Sequence, residues 1–331
     1  MPRICLLTLA TILFINLLAG FIYLRTSRII PYTTLNITTE TEPAKEPATE
    51  MAEKQLSESH IHPHPYKFIL NNDNLCSNDS FTLLILVCSS VKNYEQRKTI
   101  RETWGSLATN TFNKNEDFRM AFLIGAAEND TSSKLLEESK RHNDIIQEDF
   151  IDSYNNLTLK SVMLLKWVKN YCPNVRYILK TDDDMYINVQ NLIASLKRLG
   201  TRSRILFGVL FRKAKPDRNP NSKWYVPKAQ FSGTVFPDYL SGTAYAMTRD
   251  SVDPLFNSSL ETSFMVMEDV YITGLCAQSA GVKRLGIKGF THGKRAVSGC
   301  SFLNSITGHH VSVKDMRKIW TDLQNPGLKC K

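Results

Sequence analysis

Apolar runs and amphipathic segments alternate along the chain between residue 80 and residue 184. Each apolar run is rich in β-branched and aromatic residues, which predicts a buried strand, and each amphipathic segment predicts a helix. The predicted strands are 81–87, 120–125, 145–146 and 175–181, and the predicted helices are 90–105, 132–142 and 158–171. This alternation predicts right-handed crossovers and an α/β fold with a mainly parallel sheet.

The pattern after Asp184 is less regular. A basic loop rich in Pro and Asn is followed by irregular strands that extend to Met247. The other predicted elements are a strand at 204–210 and helices at 189–199, 268–281 and 312–323. Because no linker-like composition interrupts this part of the chain, residues 76–331 are predicted to form one catalytic domain.

A 21-residue apolar stretch, Ile4–Leu24, lies near the amino terminus. It is long enough to span a bilayer and longer than a typical signal-peptide core, so an uncleaved signal-anchor is favoured over a cleaved signal peptide. Residues 1–3 then form a cytoplasmic tail. Residues 25–75 are rich in Thr, Glu, Ser and Pro, lack apolar periodicity, and are predicted to form a stem.

Sequons and cysteines indicate an oxidising, lumenal environment for the rest of the chain. The predicted glycosylation sites are Asn36, Asn78, Asn129, Asn156 and Asn257. Six of the seven cysteines follow the apolar stretch and could form up to three disulfides, with fifteen possible connectivities. Cys88 lies in a predicted buried strand, where a free thiol is an equally good interpretation.

The chain is basic, with 41 Lys and Arg residues against 32 Asp and Glu residues and a formal net charge of +9. The basic residues are scattered, and neither zinc-finger spacing nor an RNA-binding aromatic motif accompanies them. Nucleic acid is therefore not a predicted partner. An acidic small substrate such as a nucleoside diphosphate suits the excess positive charge.

Three consecutive carboxylates, Asp182, Asp183 and Asp184, follow the predicted strand 175–181. Open α/β sheets bind ligands outside the carboxyl ends of their strands. Adjacent acids repel one another unless a cation lies among them, and oxygen ligands in a short turn suit Mn²⁺ or Mg²⁺ shared with substrate phosphates. The triplet predicts a metal–nucleotide site, with a solvated turn that caps the next helix as the alternative.

Three other groups are candidates for chemistry. Glu268 and Asp269 begin a predicted helix, where one is a candidate general base or both stabilise the helix start. Arg97 and Arg101 share one helix face, which suits either a diphosphate or solvent. His309, the first of two consecutive histidines, suits a Mn²⁺ shell or a structural role.

Taken in order, these segments resemble the β-1,3-galactosyltransferase family, which is related to Fringe. The matching segments are Arg97–Gly105, Phe122–Gly125, Glu148–Lys160, Tyr177–Asn188, Ser241–Tyr245 and Glu268–Tyr271. The resemblance implies a type II Golgi membrane protein with a GT-A fold and a Rossmann-like central sheet. It also implies inverting, Mn²⁺-assisted transfer of galactose from UDP-galactose to the 3-hydroxyl of GlcNAc or GalNAc on a glycoprotein or glycolipid.

The resemblance further implies roles for individual residues. The donor-binding group is Arg97, Arg101, Asp182 and Asp183. The metal ligands are Asp184 and His309. The catalytic base is Asp269, and the acceptor-binding group is Trp224, Tyr225 and Glu268.

The chain departs from the family pattern in two places. Leu240 stands where many members have Cys, which removes a partner expected for Cys172, and residues 291–308 diverge. Two alternatives to galactose transfer stay open. One is β-1,3-transfer of N-acetylglucosamine or N-acetylgalactosamine, and the other is a catalytically silent, lectin-like or chaperone protein on the same fold.

Overall fold

A computed structural model describes residues 61–76, 80–108, 118–127, 132–200 and 202–330. The predicted cytoplasmic tail, the predicted signal-anchor and the sequons at Asn36, Asn78 and Asn129 lie outside the described residues. Within the described ranges, no helix combines the length and the apolar character that crossing a membrane requires.

A mixed eight-stranded sheet forms the centre of the fold. The strands in chain order are β1 (Phe68–Leu70), β2 (Phe81–Cys88), β3 (Phe118–Ala126), β4 (Ile145–Ile151), β5 (Val175–Asp182), β6 (Tyr186–Ile187), β7 (Ile205–Phe211), β8 (Tyr239–Thr248), β9 (Lys283–Gly286) and β10 (Thr307–Gly308). Strands β6 and β10 form a separate ladder, and the sheet order is β1-β4-β3-β2-β5-β8-β7-β9. Neighbours from β4 to β5 are parallel, as are β7 and β9, whereas β1 and β8 are antiparallel to their neighbours. The predicted α/β fold with a mostly parallel sheet is confirmed.

Helices pack against both faces of this sheet. They are α1 (Tyr94–Glu102), α2 (Ser132–His142), α3 (Leu157–Tyr171), α4 (Val189–Arg198), α5 (Val252–Glu261), α6 (Gly299–Phe302) and α7 (Val313–Gln324), with a π-helix at Val270–Cys276. Leu84 of β2 belongs to the core that contains Val162 of α3, whereas Leu83 belongs to the core that contains Ile100 of α1 and Ile319 of α7. Because strand side chains alternate between faces, β2 is buried on both and is apolar except at Thr82.

Several helices differ from their predictions: α6 was not predicted, and the segment predicted as a helix at 268–281 contains the π-helix Val270–Cys276. Helix α1 begins at Tyr94 rather than near Ser90, because a turn closed by the hydrogen bond from the Asn93 amide to the Ser90 carbonyl oxygen precedes it, and the hydroxyl of Ser89 donates to Asp183 instead of capping the helix. Helix α5 was not predicted, since Pro254 and the Ser258–Ser259 pair have low helix propensity. The proline lies in the first turn of α5, where a helix tolerates it.

The predicted stem extends too far along the chain, because residues 61–75 belong to the folded domain. Strand β1 pairs with β4, and Nε2 of buried His64 lies 2.7 Å from Oε2 of Glu148. Glu148 is itself fully buried and also pairs with Lys166. His64 and Glu148 are 84 residues apart in sequence, so the local composition of the segment could not indicate its packing.

Two disulfides join the described cysteines, Cys76 with Cys172 and Cys300 with Cys330. Leu240 removes the partner that the resemblance implied for Cys172, and Cys76 takes its place. Cys88 is a buried free thiol, the equally good interpretation of its strand position.

The two sequon asparagines inside the described ranges differ in their surroundings. Asn257 is exposed on α5, whereas Asn156 is partly buried and its side-chain amide donates to the carbonyl oxygen of Ile151. Glycosylation at either position stays a prediction.

Candidate active site

The carboxyl end of β5 carries the first of the predicted acids. Asp182 is the last residue of β5, and its Oδ1 accepts a hydrogen bond from Nζ of Lys180 at 2.7 Å. Lys180 is buried, also donates to the carbonyl oxygen of Gly242, and lies 3.7 Å from Oε2 of Glu268. Burial raises the pKa of Asp182 to about 6, although Lys180 opposes the shift. The sequence did not single out Lys180, because it lies within an apolar strand.

Asp183 is held by polar groups that follow β2. Its Oδ2 accepts hydrogen bonds from the hydroxyl of Ser89 at 2.6 Å and from the side-chain amide of Asn93 at 2.8 Å. Burial raises the pKa of Asp183, and these two hydrogen bonds partly offset that rise. Strands β2 and β5 are adjacent and parallel, so their carboxyl ends bring Ser89 and Asp183 together.

Asp184 is brought to the two histidines by the β6–β10 ladder. Tyr186 pairs with Gly308, and the amide of Val311 donates to the carbonyl oxygen of Asp184 at 2.9 Å. Oδ2 of Asp184 then lies 3.3 Å from Nε2 of His309 and 3.5 Å from Nδ1 of His310. Ligand atoms of these three residues all lie within 4.8 Å of one another.

The Asp184–His309–His310 cluster fits a divalent metal ion. It offers one carboxylate oxygen and two imidazole nitrogens, which are ordinary ligands of transition metals. Nδ1 of His309 lies 2.8 Å from the carbonyl oxygen of His292, and a hydrogen bond there leaves Nε2 free to bind a metal. His310 was not among the predicted ligands, although the adjacent pair of histidines was visible in the sequence.

Without a metal, charges within this cluster stabilise one another. Burial acts to raise the pKa of Asp184, but the hydrogen bond from His309 and the charges of both histidines outweigh it, so the pKa is lowered. Burial acts to lower the pKa of His309, and the hydrogen bond with Asp184 reverses that effect, so the pKa is raised. The site therefore favours a negative carboxylate, the state that binds a cation.

Asp269, the predicted base, lies at the start of the π-helix. Its Oδ1 accepts a hydrogen bond from the amide of Val270 at 2.9 Å, and its Oδ2 accepts one from the amide of Gly242 at 3.1 Å. Burial and then the charge of Glu268 raise the pKa of Asp269 to about 7. A carboxyl group with this pKa is suited to exchange protons near neutral pH.

Gly242 connects the two acidic groups. Its carbonyl oxygen accepts from Lys180, the partner of Asp182, and its amide donates to Asp269. A Cβ at this position would lie 3.0 Å from Oε2 of Glu268 and 3.1 Å from Cβ of Asp269. The Ser-Gly segment was recognised as a motif, and the structure gives the physical reason for its glycine.

Glu268 is buried in the structure. Only 6% of the residue is exposed, and Oε1 accepts hydrogen bonds from the hydroxyls of Ser161 and Tyr245 at 2.6 and 2.7 Å. Contact of this carboxylate with an acceptor stays a prediction. Glu268 also contributes a negative charge that, after burial, raises the pKa of Asp269.

Both predicted donor-site arginines are engaged with acidic side chains. The side chain of Arg97 is 1% exposed and pairs with Glu138 at 2.6 Å, while Arg101 pairs with Asp144 at 2.7 Å. Arg97 reaches the acid cluster through Ser89, to which it donates at 3.2 Å. Direct contact of either arginine with a donor stays a prediction.

Trp224 and Tyr225 lie in the loop between β7 and β8. Trp224 is 52% exposed, with Nζ of Lys223 at 4.6 Å from a ring centroid, and Tyr225 is partly buried. Arg218 holds this loop by donating to backbone carbonyl oxygens that include that of Val226. An exposed indole suits stacking on a sugar ring, and the acceptor role of both residues stays a prediction.

The structure combines an α/β sheet with clustered carboxylates, a site that fits a metal, and a carboxyl group with a pKa of about 7. This combination is typical of metal-assisted group-transfer enzymes. Comparison with known proteins gives the family. The galactosyltransferase family model matches residues 95–287. Over 274 residues the chain is 37% identical to β-1,3-galactosyltransferase 1 of Mus musculus, covering 82% of each chain.

The chain is also similar to a second relative and to a solved structure. Human β-1,3-galactosyltransferase 2 is 34% identical over 275 residues, which cover 80% of this chain and 64% of the relative. Among solved structures, the bifunctional glycosyltransferase WbbM aligns with a TM-score of 0.40 and 9% identity, over 76% of this chain and 51% of that one. The chain belongs to the β-1,3-galactosyltransferase family, which confirms the resemblance, and it is a transferase.

Proposed function

We propose that this protein transfers galactose from UDP-galactose to the 3-hydroxyl of GlcNAc or GalNAc on a glycoprotein or glycolipid, with inversion at the anomeric carbon. The observation that carries the proposal is the connection, through Gly242 and Lys180, between the acids after β5 and Asp269. One group suits a metal-bound diphosphate, and the other suits proton removal from a hydroxyl.

Each group has a distinct task in the proposed reaction. Asp269 takes the proton of the acceptor 3-hydroxyl as that oxygen bonds to the anomeric carbon. The bond from this carbon to the β-phosphate oxygen breaks, and UDP leaves with the electron pair. One displacement on the face opposite the leaving group converts the α-linked donor to a β-linked product. Asp182 and Asp183 contact the uridine and ribose.

Asp184 and His309 would hold the metal, for which Mn²⁺ is proposed and Mg²⁺ is the alternative. When bound, the metal stabilises the negative charge that develops on the leaving diphosphate. The hydrogen bond of His309 to the carbonyl of His292 fixes the ring orientation that such a ligand needs.

The proposed location is the Golgi membrane, in a single-pass type II orientation with a lumenal catalytic domain. Supporting this are the apolar stretch at 4–24, the sequons after it, and the disulfides of the folded domain. Antibody access to an epitope at each terminus, before and after membrane permeabilisation, tests the orientation. Access to the carboxyl terminus in sealed vesicles of native orientation would contradict it.

The central experiment incubates full-length protein in detergent with UDP-Gal, UDP-GlcNAc or UDP-GalNAc, with and without Mn²⁺, and acceptors ending in GlcNAc, GalNAc or Gal. Mn²⁺-dependent β-1,3 transfer from UDP-Gal supports the proposal. Transfer from another donor identifies an N-acetylhexosaminyltransferase instead. Absence of both transfer and UDP binding in a folded sample would support the silent-fold alternative.

A further inference from the structure

The chemistry of the metal cluster depends on how many of its three residues bind the ion. Asp184 and His309 follow from the family resemblance, whereas His310 does not. The side chain of His309 is 15% exposed, and that of His310 is 63% exposed. An exposed histidine is usually solvated, so a metal-binding role for His310 depends on the geometry of its side chain and backbone.

The backbone at His310 brings both rings to one side of the chain. Successive side chains of an extended strand project to opposite faces, so adjacent histidines would ordinarily separate. His310 has a φ of 55°, in the left-handed region that residues other than glycine rarely adopt, and the two rings stack with centroids 3.7 Å apart. Residues other than glycine that adopt such a conformation cluster at functional sites.

Backbone pairing fixes the histidines relative to Asp184 on both sides. Gly308 pairs with Tyr186 immediately before His309, and Val311 donates to the carbonyl oxygen of Asp184 immediately after His310. The position of His310 is therefore set by the same contacts that place His309. Neither imidazole relies on a flexible loop to approach the carboxylate.

The interatomic distances suit direct coordination. Two ligand atoms at right angles, each about 2.1 Å from an ion, are about 3.0 Å apart. The observed separations from Oδ2 of Asp184 are 3.3 Å to Nε2 of His309 and 3.5 Å to Nδ1 of His310.

We propose that His310 is a third protein ligand, so that two imidazoles and one carboxylate bind the metal before any nucleotide arrives. A second imidazole changes the preference of the site, because nitrogen ligands favour Co²⁺, Zn²⁺ and related ions over Mg²⁺. The site then binds a transition metal on its own and prefers it to Mg²⁺. This inference rests on the proposed function in one respect only, namely that the bound ion takes part in sugar transfer.

The test uses Co²⁺, whose visible absorption reports its ligands, and full-length protein in detergent without nucleotide. His310→Gln is expected to weaken Co²⁺ binding by about tenfold or more, since loss of a mere supporting contact already costs ~10–100-fold, and to change the spectrum. His309→Gln should behave similarly. His142→Gln, at an exposed position of α2, is the matched control and should resemble the unmodified protein.

Two results would overturn the proposal. One is an unchanged Co²⁺ affinity and spectrum in His310→Gln, and the other is absence of Co²⁺ binding by the unmodified protein. Thermal unfolding of each variant establishes that the fold is retained. Galactose transfer measured on the same samples separates the two proposals. If the unmodified protein transfers galactose but His310→Gln leaves the Co²⁺ spectrum unchanged, His310 is not a ligand and the proposed function stands. If His310→Gln loses Co²⁺ affinity but the unmodified protein transfers no galactose, the ligand assignment stands and the proposed function does not.

Discussion

The backbone amide of Gly242 donates to Oδ2 of Asp269 at 3.1 Å, so the β8 strand positions the carboxyl group at the start of the π-helix. The same residue accepts from Lys180 through its carbonyl oxygen. One peptide segment thereby relates the position of the proposed base to that of Asp182. Substitutions at Asp269, Glu268 and Gly242 test in turn the proposed base, its pKa and its position.

Asp269→Asn removes the proposed base and keeps the shape of the side chain. Transfer is expected to fall by about 100- to 10,000-fold, the usual contribution of a general base. UDP binding, measured by calorimetry, should survive because the metal cluster is intact. Asp253→Asn, which alters a surface pair with Arg249, is the control and should retain activity. Normal turnover by Asp269→Asn would remove this residue from the mechanism.

The pKa of Asp269, about 7, predicts the pH dependence of transfer. A base acts in its deprotonated form, so kcat/KM for the acceptor should rise as pH increases through about 7. Glu268→Gln removes the negative charge that, after burial, raises the pKa of Asp269. The rise should then move to lower pH. Gln retains an oxygen for Ser161 and Tyr245, and an identical profile would contradict this account.

Gly242→Ala tests the close approach of the strand to the two acids. The new Cβ would lie 3.0 Å from Glu268 and 3.1 Å from Asp269, so the acids must shift. The shift needed is a few tenths of an ångström at the proposed base, so kcat should fall while the thermal unfolding temperature changes little. At Gly286 a Cβ meets only Leu210 at 3.4 Å, and Gly286→Ala should leave kcat unchanged. Equal kcat values for both variants would contradict the prediction.

Glu138→Gln tests the buried pair with Arg97. Removing one member of a buried ion pair typically costs about 3 kcal/mol or more of unfolding free energy, which urea titration measures. Glu137→Gln, at an exposed neighbouring position, should have little effect. A small loss in Glu138→Gln, equal to that of the control, would indicate that the pair is not needed.

The same pair predicts how stability depends on pH. Burial acts to raise the pKa of Glu138, but the hydrogen bonds and charges of Arg97 and Arg101 outweigh it and lower the pKa below its ordinary value of 4.5. The stabilisation is therefore present above pH 4.5 and is lost as pH falls through the lowered pKa. The difference in unfolding free energy between native protein and Glu138→Gln should shrink over that acidic range.

Local sequence pattern predicted the parts of the molecule that depend on neighbouring residues. The run before Asp182 is apolar because β5 is buried, and three acids follow because the sheet ends there. Helix α3 was predicted closely for the same kind of reason. Strand β1 is three residues long and lies in polar sequence, so it carries no periodic signal.

Contacts between distant residues could not be predicted in this way. Nothing near Arg97 indicates that its partner is Glu138, 41 residues away on α2. Likewise, burial of Glu268 follows from Ser161, 107 residues distant, and from Tyr245. The pairing of adjacent acids at the π-helix start was visible, but which one faces inward depends on tertiary packing.

The hydrogen bond between His64 and Glu148 determines where a shortened form of this enzyme should start. A polypeptide that begins after His64 removes that hydrogen bond from the fully buried Glu148, which then keeps its ion pair with Lys166. It would also lack the packing of His62 on Phe264. Production for crystallisation or assay should therefore retain residue 61 onward, even though composition suggests that the preceding segment and this one are equally dispensable.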